Sequence, residues 1–567
     1  MKLTTLAAMS GLMVLAAVPT AAARNAALTA TLYQGGQILT MEGAEPQYAE
    51  ALAVRDGRII AVGRLADVEK VAGKGAVRVN LAGKTLLPGF IDAHGHVSSV
   101  GLAATAARLS PPPVGDVRSI ANLQAALRAK LSDPALGPDK PLIGVGYDDS
   151  QLAEKRHPTR EDLDAVSADR PILITHASGH LAVMNSAMLK LVGLGPDTPD
   201  PRGGVIRRQA DGRTPNGVLE EAALRSALPF LTPTTLDAAV AAVVAGEGVY
   251  MANGITTAQD GRVMPEAWPG LAEAARRGVL PLDTVVLVSF ERPWADAVRA
   301  QIGKPYVSRL RIGGVKLTLD GSPQGRTAWL HDPVTVPPEG KDANYRGYPA
   351  MDVADFRKRL ADAKANNWQV FVHVNGDEAV QALIDGVRSE GLEGRRTIAI
   401  HAQVMRPEQL TAFKALDIQP SFFASHTWFW GDWHREVALG AKRADFISPQ
   451  MSAWAIGLVP SAHNDSPVVP PDILRLVWSS VNRRTQSGDI LGPLERVSAY
   501  RALQQVTINA AWQIHEDADK GSLAPGKRAD LVVLDTNPLT ADPATLYAIK
   551  VKATIKDGRV IFGEVGG

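Results

Sequence analysis

The chain has 567 residues, 46% of them hydrophobic, enough for one very large domain or two to four ordinary ones and against global disorder. Its 60 basic and 59 acidic residues leave a net charge of +1, which excludes the concentrated positive charge that nucleic acid or an anionic membrane would require. The partner expected is a small molecule. Cysteine is absent, so disulfides, thiolate metal ligands and a cysteine nucleophile are all excluded.

The N-terminus carries Lys2, a short apolar stretch from Leu6 to Val18, and then small residues in "PTAAARNAA". That pattern predicts a secretory signal peptide over residues 1–23, with cleavage after Ala22 or Ala23. The mature protein is expected in the periplasm or outside the cell, free of the membrane, because no later segment is long and apolar enough to span one. Residues 24–85 then alternate in short pieces such as "ALAVRDGRIIAVG", separated by Gly and Asp turn signals, and predict an antiparallel β unit. The stretch 520–567 repeats the style, with "DGRVI" echoing "DGRII". Two β-rich ends, neither able to form a core alone, are expected to join in one composite β-sandwich.

The stretch 86–519 is predicted to be α/β. After the opening "LLPGFIDAHGHV" come "GITTAQD", "LDTVVLVS", "RIGGVKLTLD", "WQVFVHV", "TIAIHA", "DIQPSFFA" and "AIGLVPSAHND", eight strands among Ala- and Leu-rich helical segments. Eight such units predict a (β/α)8 TIM barrel, whose catalytic groups sit at the C-terminal strand ends. A doubly wound open sheet is the alternative, but no Gly-rich dinucleotide fingerprint follows a strand. An insertion of about 100–250, after the first strand, reads as a lid or a wall of the pocket. In the opening strand, alternation would put Asp92, His94 and His96 on one face.

His94 and His96 end the first strand, Lys316 lies in the fourth, His373 and His401 end the fifth and sixth, and Asp465 follows the eighth. All six therefore project into one mouth, where imidazoles and carboxylates suit a divalent metal. Each also has a structural reading. Lys316 could pair with Asp320, His401 could be a hydrogen-bonded core histidine, and Asp465 could cap a helix. In "THASGH", His180 is expected to face substrate, while His176 could simply close the insertion. Trp430, with Trp428, Trp433, His426 and His434 in "SHTWFWGDWHR", is either a stacking wall for an apolar substrate or packing beneath a lid.

The motifs "PGFIDAHGHV", "GGVKLTLDGSPQGRTA", "VFVHVNGDEAV", "IAIHAQ" and "HNDSPV" resemble those of the amidohydrolase superfamily, in particular amidohydrolase family 3, the YtcJ-like group. The insertion's "GVGYDDSQL", "SGHLAVMNSAML" and "DGRTPNGVLEEAA" are similar to that group's segments as well. The resemblance implies a metal-dependent hydrolase on a barrel with a composite β-sandwich, in a family that includes a deformylase of N-substituted formamides. It implies one or two zinc ions, with His94, His96 and Asp465 on the more buried one, His373 and His401 on the second, and Lys316 bridging. An unmodified lysine would repel a cation, so Lys316 could serve only as a carbamate. Asp465 and His401 are the catalytic residues so implied, Asp465 moving the proton from water to the departing amine. His463 departs from the pattern by standing where the family has a small residue, and is taken with His180 and Trp430 as substrate-binding. The expected reaction is hydrolysis of a non-peptide carbon–nitrogen bond in an amide, N-acyl or N-formyl compound. Lactone or ester hydrolysis, or an exported metal-containing binding protein without catalysis, are the alternatives, and a homodimer is left open.

Overall fold

A computed structural model of the chain describes residues 29–566 except 138, 139 and 234. The signal segment expected over residues 1–23 lies outside the described residues. Among those described, no helix is long and apolar enough to cross a membrane.

The two chain ends meet in one eight-stranded sheet. Thr85–Pro88 runs parallel to Thr31–Leu39 on one side and antiparallel to Leu531–Leu534 on the other, so "TLLP" and "LVVL" form the seam between N- and C-terminal halves. Every residue of both runs is buried, which explains why they read as continuous apolar stretches. The two echoing motifs are paired hairpin turns. Asp56 and Gly57 have φ of 52° and 74°, and Asp557 and Gly558 have 47° and 73°, the left-handed pair that an Asp-Gly hairpin requires. The turns lie against each other, and a bridge between Arg58 and Arg528 folds the first hairpin back onto the C-terminal strands. The two β-rich ends thus form one continuous sheet.

A second eight-stranded sheet contains all eight strands expected from the sequence, from Phe90–Ile91 through Ile255–Val263, Asp283–Ser289, Leu310–Thr318, Val370–Val374, Thr397–His401 and Ile418–Phe422 to Ser461–Ala462. Every neighbouring pair is parallel. The sheet curls until its ends touch: Asp465 N–H donates to the His94 carbonyl at 3.1 Å and His96 N–H to the Ser466 carbonyl at 2.7 Å. Val286, Val288, Val370 and Val372 face the covering helices, where Leu271, Phe356, Leu383 and Phe413 pack on them. The alternate residues Val285, Leu287, Phe371, Ile398 and Ile400 cluster with Ile514 on the other face. This period of two is what a curled sheet covered outside and filled inside requires.

The opening segment differs from its expected form. It is not one strand: Thr85–Pro88 belongs to the first sheet and only Phe90–Ile91 to the second, with Gly89 between them at a point where a Cβ would collide with Thr256. His94 lies in a bend beyond the strand and His96 in an isolated antiparallel bridge to Asp260, so strand alternation positions neither.

The insertion forms a third, six-stranded sheet from Ala107–Arg108 to Pro215–Glu221. It has its own cores, with Leu123, Leu142, Ile172 and Val183 on one side and Leu173, Met184, Ile206 and Leu219 on the other. The helix Leu236–Ala252, within the stretch of about 100–250, packs instead on the parallel sheet through Val240 and Val243.

Candidate metal centre

The parallel sheet delivers its polar residues to one end. In its strand registers Thr318 lies beside His373 and Val374 beside His401, so the chain's fourth, fifth and sixth strands stop level with one another. His401, the last residue of its strand, has φ of 72°, and Asp465 has φ of 54°. Non-glycine residues held in the left-handed region at two such positions are backbone strain of the kind that collects at functional sites.

Asp465 is the hub. Its Oδ1 lies 3.1 Å from His96 Nε2 and 3.4 Å from His94 Nε2, and its Oδ2 lies 3.9 Å from His401 Nε2. One ligand atom from each of His94, His401 and Asp465 falls within 4.8 Å of the others, all three residues buried. Lys316 joins them, Nζ lying 3.1 Å from His94 Nε2. Burial holds the imidazoles of His94, His373 and His401 well below their ordinary pKa, with neighbouring positive groups adding to the effect. They are therefore neutral, the form in which imidazole binds metal. Buried neutral imidazoles converging on one carboxylate fit a divalent cation.

Several expected roles look different in place. His373 turns its Nε2 to the Gly321 carbonyl and to Asn375 Nδ2, both at 3.0 Å, while its ring stands 4.5 Å from that of His401. Asp320 does not take up Lys316: it accepts from the backbone N–H groups of Trp329, Asn375 and Gly376 at 2.9, 2.9 and 2.7 Å. Burial pushes that carboxyl up to about 7. Asp465 caps no helix, because a turn follows it.

His463 is fully buried and both its ring nitrogens are engaged, Nε2 with His401 Nδ1 at 3.1 Å and Nδ1 with Ser421 Oγ at 2.9 Å. It therefore backs His401 and does not face substrate as expected, because no ring nitrogen is left free and none of the residue is exposed. His180 comes from the insertion, with Nδ1 2.8 Å from Glu221 Oε2 and its ring 4.9 Å from that of His373. Trp430 is 3% exposed, packed with Phe423, His426 and Val469, and its indole N–H donates to Asp148 of the insertion. His426 and His434 stack at 5.2 Å in the same buried cluster.

Glu221 was not singled out in the sequence, though "GVLEE" puts a charge at the end of an apolar strand, where it needs a partner. The other metal-type cluster, Asp148, Asp149 and His176, lies in the insertion. Its carboxylates are spent on Ser150 and Trp430 for Asp148 and on His176, at 3.1 Å, for Asp149.

A family model described as an amidohydrolase family matches residues 78–562. The chain belongs to the amidohydrolase family. The amidohydrolase is 29% identical over 548 residues to YtcJ of Bacillus subtilis, itself named as an amidohydrolase, covering 94% of this chain and 99% of that protein. It is likewise 29% identical over 536 residues to the N-substituted formamide deformylase of Arthrobacter pascens, covering 91% and 96%. A metal-dependent hydrolase from Pyrococcus furiosus superposes with a TM-score of 0.70 at 26% identity, covering 90% of this amidohydrolase and all of that chain. One from Pyrococcus horikoshii gives 0.72 at 24%, which speaks for the shared fold.

Proposed function

We propose that this amidohydrolase cleaves a non-peptide carbon–nitrogen bond in an amide, N-acyl or N-formyl compound, at the mouth of a closed (β/α)8 barrel. The observation that carries the reading is the Asp465 carboxylate ringed by His94, His96 and His401. His94, His401 and Asp465 would hold the metal, with His96 beside them, and an all-nitrogen-and-oxygen donor set of this kind suits zinc. When bound, the metal supplies Lewis acidity, polarising the scissile carbonyl and making water a competent nucleophile at neutral pH.

Asp465 has the second task. Its carboxylate takes the proton that the attacking water gives up and delivers it to the nitrogen, which leaves as the amine when the carbon–nitrogen bond breaks. Lys316 is suited to a carbamate. Burial lowers its ammonium pKa to about 7, so a large fraction is the free amine, whose nitrogen adds to the carbon of carbon dioxide and loses a proton. The resulting negative charge would replace a cation that lies 3.1 Å from a ligand nitrogen. His180, aimed by Glu221, is the substrate-facing group from the insertion. The basic, short-apolar, small-residue start of the chain supports export to the periplasm or medium.

The deformylase named among the relatives supports carbon–nitrogen chemistry over other hydrolysis. A panel of formamides, N-acyl amino acids, simple amides and lactones, run on zinc-loaded protein, tests the reading. Turnover of an amide or formamide is expected. Exclusive lactone turnover would replace the proposed bond by an ester, and hydrolysis of none of them would favour a binding protein.

A further inference from the structure

Behind His401 runs a buried line of hydrogen bonds whose direction can be derived by counting hydrogens. Gln513 Nε2 donates to the carbonyls of Pro420 at 2.9 Å and Val459 at 3.1 Å, which fixes the amide so that Oε1 can only accept. That oxygen lies 2.6 Å from Ser461 Oγ and takes the single hydroxyl hydrogen of Ser461. Ser461 can then only accept from Ser421, 2.8 Å away. Ser421, its hydrogen spent, must accept from His463 Nδ1 at 2.9 Å. His463 is fully buried with only a hydroxyl and an imidazole on its ring nitrogens, and among the described residues no carboxylate pairs with it to hold a second proton, so a ring that carries its hydrogen on Nδ1 has a bare Nε2. The bare nitrogen faces His401 Nδ1 at 3.1 Å, and a hydrogen bond there requires His401 to donate.

We infer that Gln513, Ser461, Ser421 and His463 form a proton-ordered chain that locks His401 in its Nδ1–H tautomer, leaving Nε2 bare toward Asp465. The inference rests on the reading of His401 as a metal ligand. His463 is a positioning residue in this scheme: it touches no substrate and acts through the ring orientation and tautomer of His401. All five side chains are buried. A hydrogen bond made by the far nitrogen decides which nitrogen of a histidine takes the metal, and outer partners of this kind typically affect metal affinity about 10–100-fold.

Two measurements test it. In metal-free wild-type protein labelled with 15N at histidine, long-range proton–nitrogen spectra should show a protonated Nδ1 and an unprotonated Nε2 on His401, assigned by loss of the signals in His401→Gln. Zinc dissociation constants, by chelator competition, should then rank two replacements. His463→Phe keeps a ring in the space but cannot accept from His401, and should weaken zinc by about 10–100-fold. His463→Gln can accept from His401 and donate to Ser421, and should stay close to wild type. Packing alone would give the opposite ranking, with Phe the better substitute. A protonated Nε2 in the wild type, or zinc binding by folded His463→Phe as tight as wild type, would overturn the inference. Should His463→Phe fail to fold, Ser421→Ala takes its place, with the same direction expected. Wild-type protein that binds no zinc would overturn the metal reading instead, while the tautomer spectrum would still decide the chain.

Discussion

Asp465 and His94 meet twice. The backbone N–H of Asp465 donates to the His94 carbonyl at 3.1 Å, and the Asp465 carboxylate stands 3.4 Å from the His94 imidazole. The first contact joins the two ends of the parallel sheet, and the second builds the centre at that join. Because the backbone fixes the separation, a side-chain change at either position alters the chemistry without moving the other residue.

His180 reaches the centre from the insertion and is held by Glu221, a strand-end residue at φ of 48° whose Oε1 accepts from Thr327 at 3.1 Å. Glu221→Gln should lower kcat/KM by about 10–100-fold, the scale of a lost outer partner, and His180→Ala should lower it at least as far. Metal content should be unchanged in both. Loss of metal from His180→Ala would make His180 a ligand and not a substrate group.

Trp430 is buried between the tryptophan-rich segment and the insertion, so its removal is expected to act on stability. Trp430→Ala should cost about 3–5 kcal/mol, the usual range for truncating a buried tryptophan, read as a marked drop in Tm. Its effect on KM should be the same for bulky and small substrates. An unchanged Tm with KM raised for bulky substrates alone would restore the stacking wall.

Glu247 titrates far from the centre. It is buried beneath the sheet, accepting from Thr284 Oγ at 2.6 Å and Leu282 N–H at 3.1 Å, and burial raises its carboxyl pKa to about 7. A raised folded pKa means that its contribution is fully present below the unfolded value near 4.5, falls between there and about 7 by about 1.4 kcal/mol per pH unit, and is then flat. Glu247→Gln can keep both hydrogen bonds by offering Oε1 to Leu282 and its amide to Thr284. Its Tm advantage over wild type should grow from pH 5 to about pH 7 and level off above it. A constant difference across that window would place the carboxyl's pKa elsewhere.

A carbamate on Lys316 would make zinc reconstitution depend on carbon dioxide. Activity recovered in bicarbonate-containing buffer should exceed that recovered in buffer stripped of carbon dioxide, and Lys316→Ala should abolish the difference. Equal recovery by the wild type would leave Lys316 as a plain amine.

The eight parallel strands were legible because each is a short β-branched run beside a helical segment, and the join between chain ends because Asp-Gly hairpins announce themselves. His94, His96, Lys316, His401 and Asp465 were legible as a group since they fall at or near the ends of those strands. What surrounds them was not. His463 looked like a substrate group because sequence gives its position two residues before Asp465 but not the partners, Ser421 and His401, that occupy both its ring nitrogens. Ser421, Ser461 and Gln513 are ordinary polar residues in sequence; strand register sets Ser421 beside Ser461, and the helix Ile508–Gln513 brings Gln513 onto Ser461. Trp430 had two readings that burial alone could separate. The opening strand misled because Gly89, in the middle of an apolar run, is the point where the chain leaves one sheet for another.

The central claim is that His94 helps to hold the metal and that Asp465 moves the proton, and it is tested most directly by measuring bound metal and turnover side by side in His94→Ala and Asp465→Asn on a confirmed substrate. Removing the imidazole deletes a ligand, so His94→Ala should lose both. Asparagine still offers an oxygen but cannot accept a proton at neutral pH, so Asp465→Asn should stay folded, keep metal and near-normal KM, and lose about 10²–10⁴ in kcat. Asp465→Asn with metal bound and turnover near wild type would contradict the account.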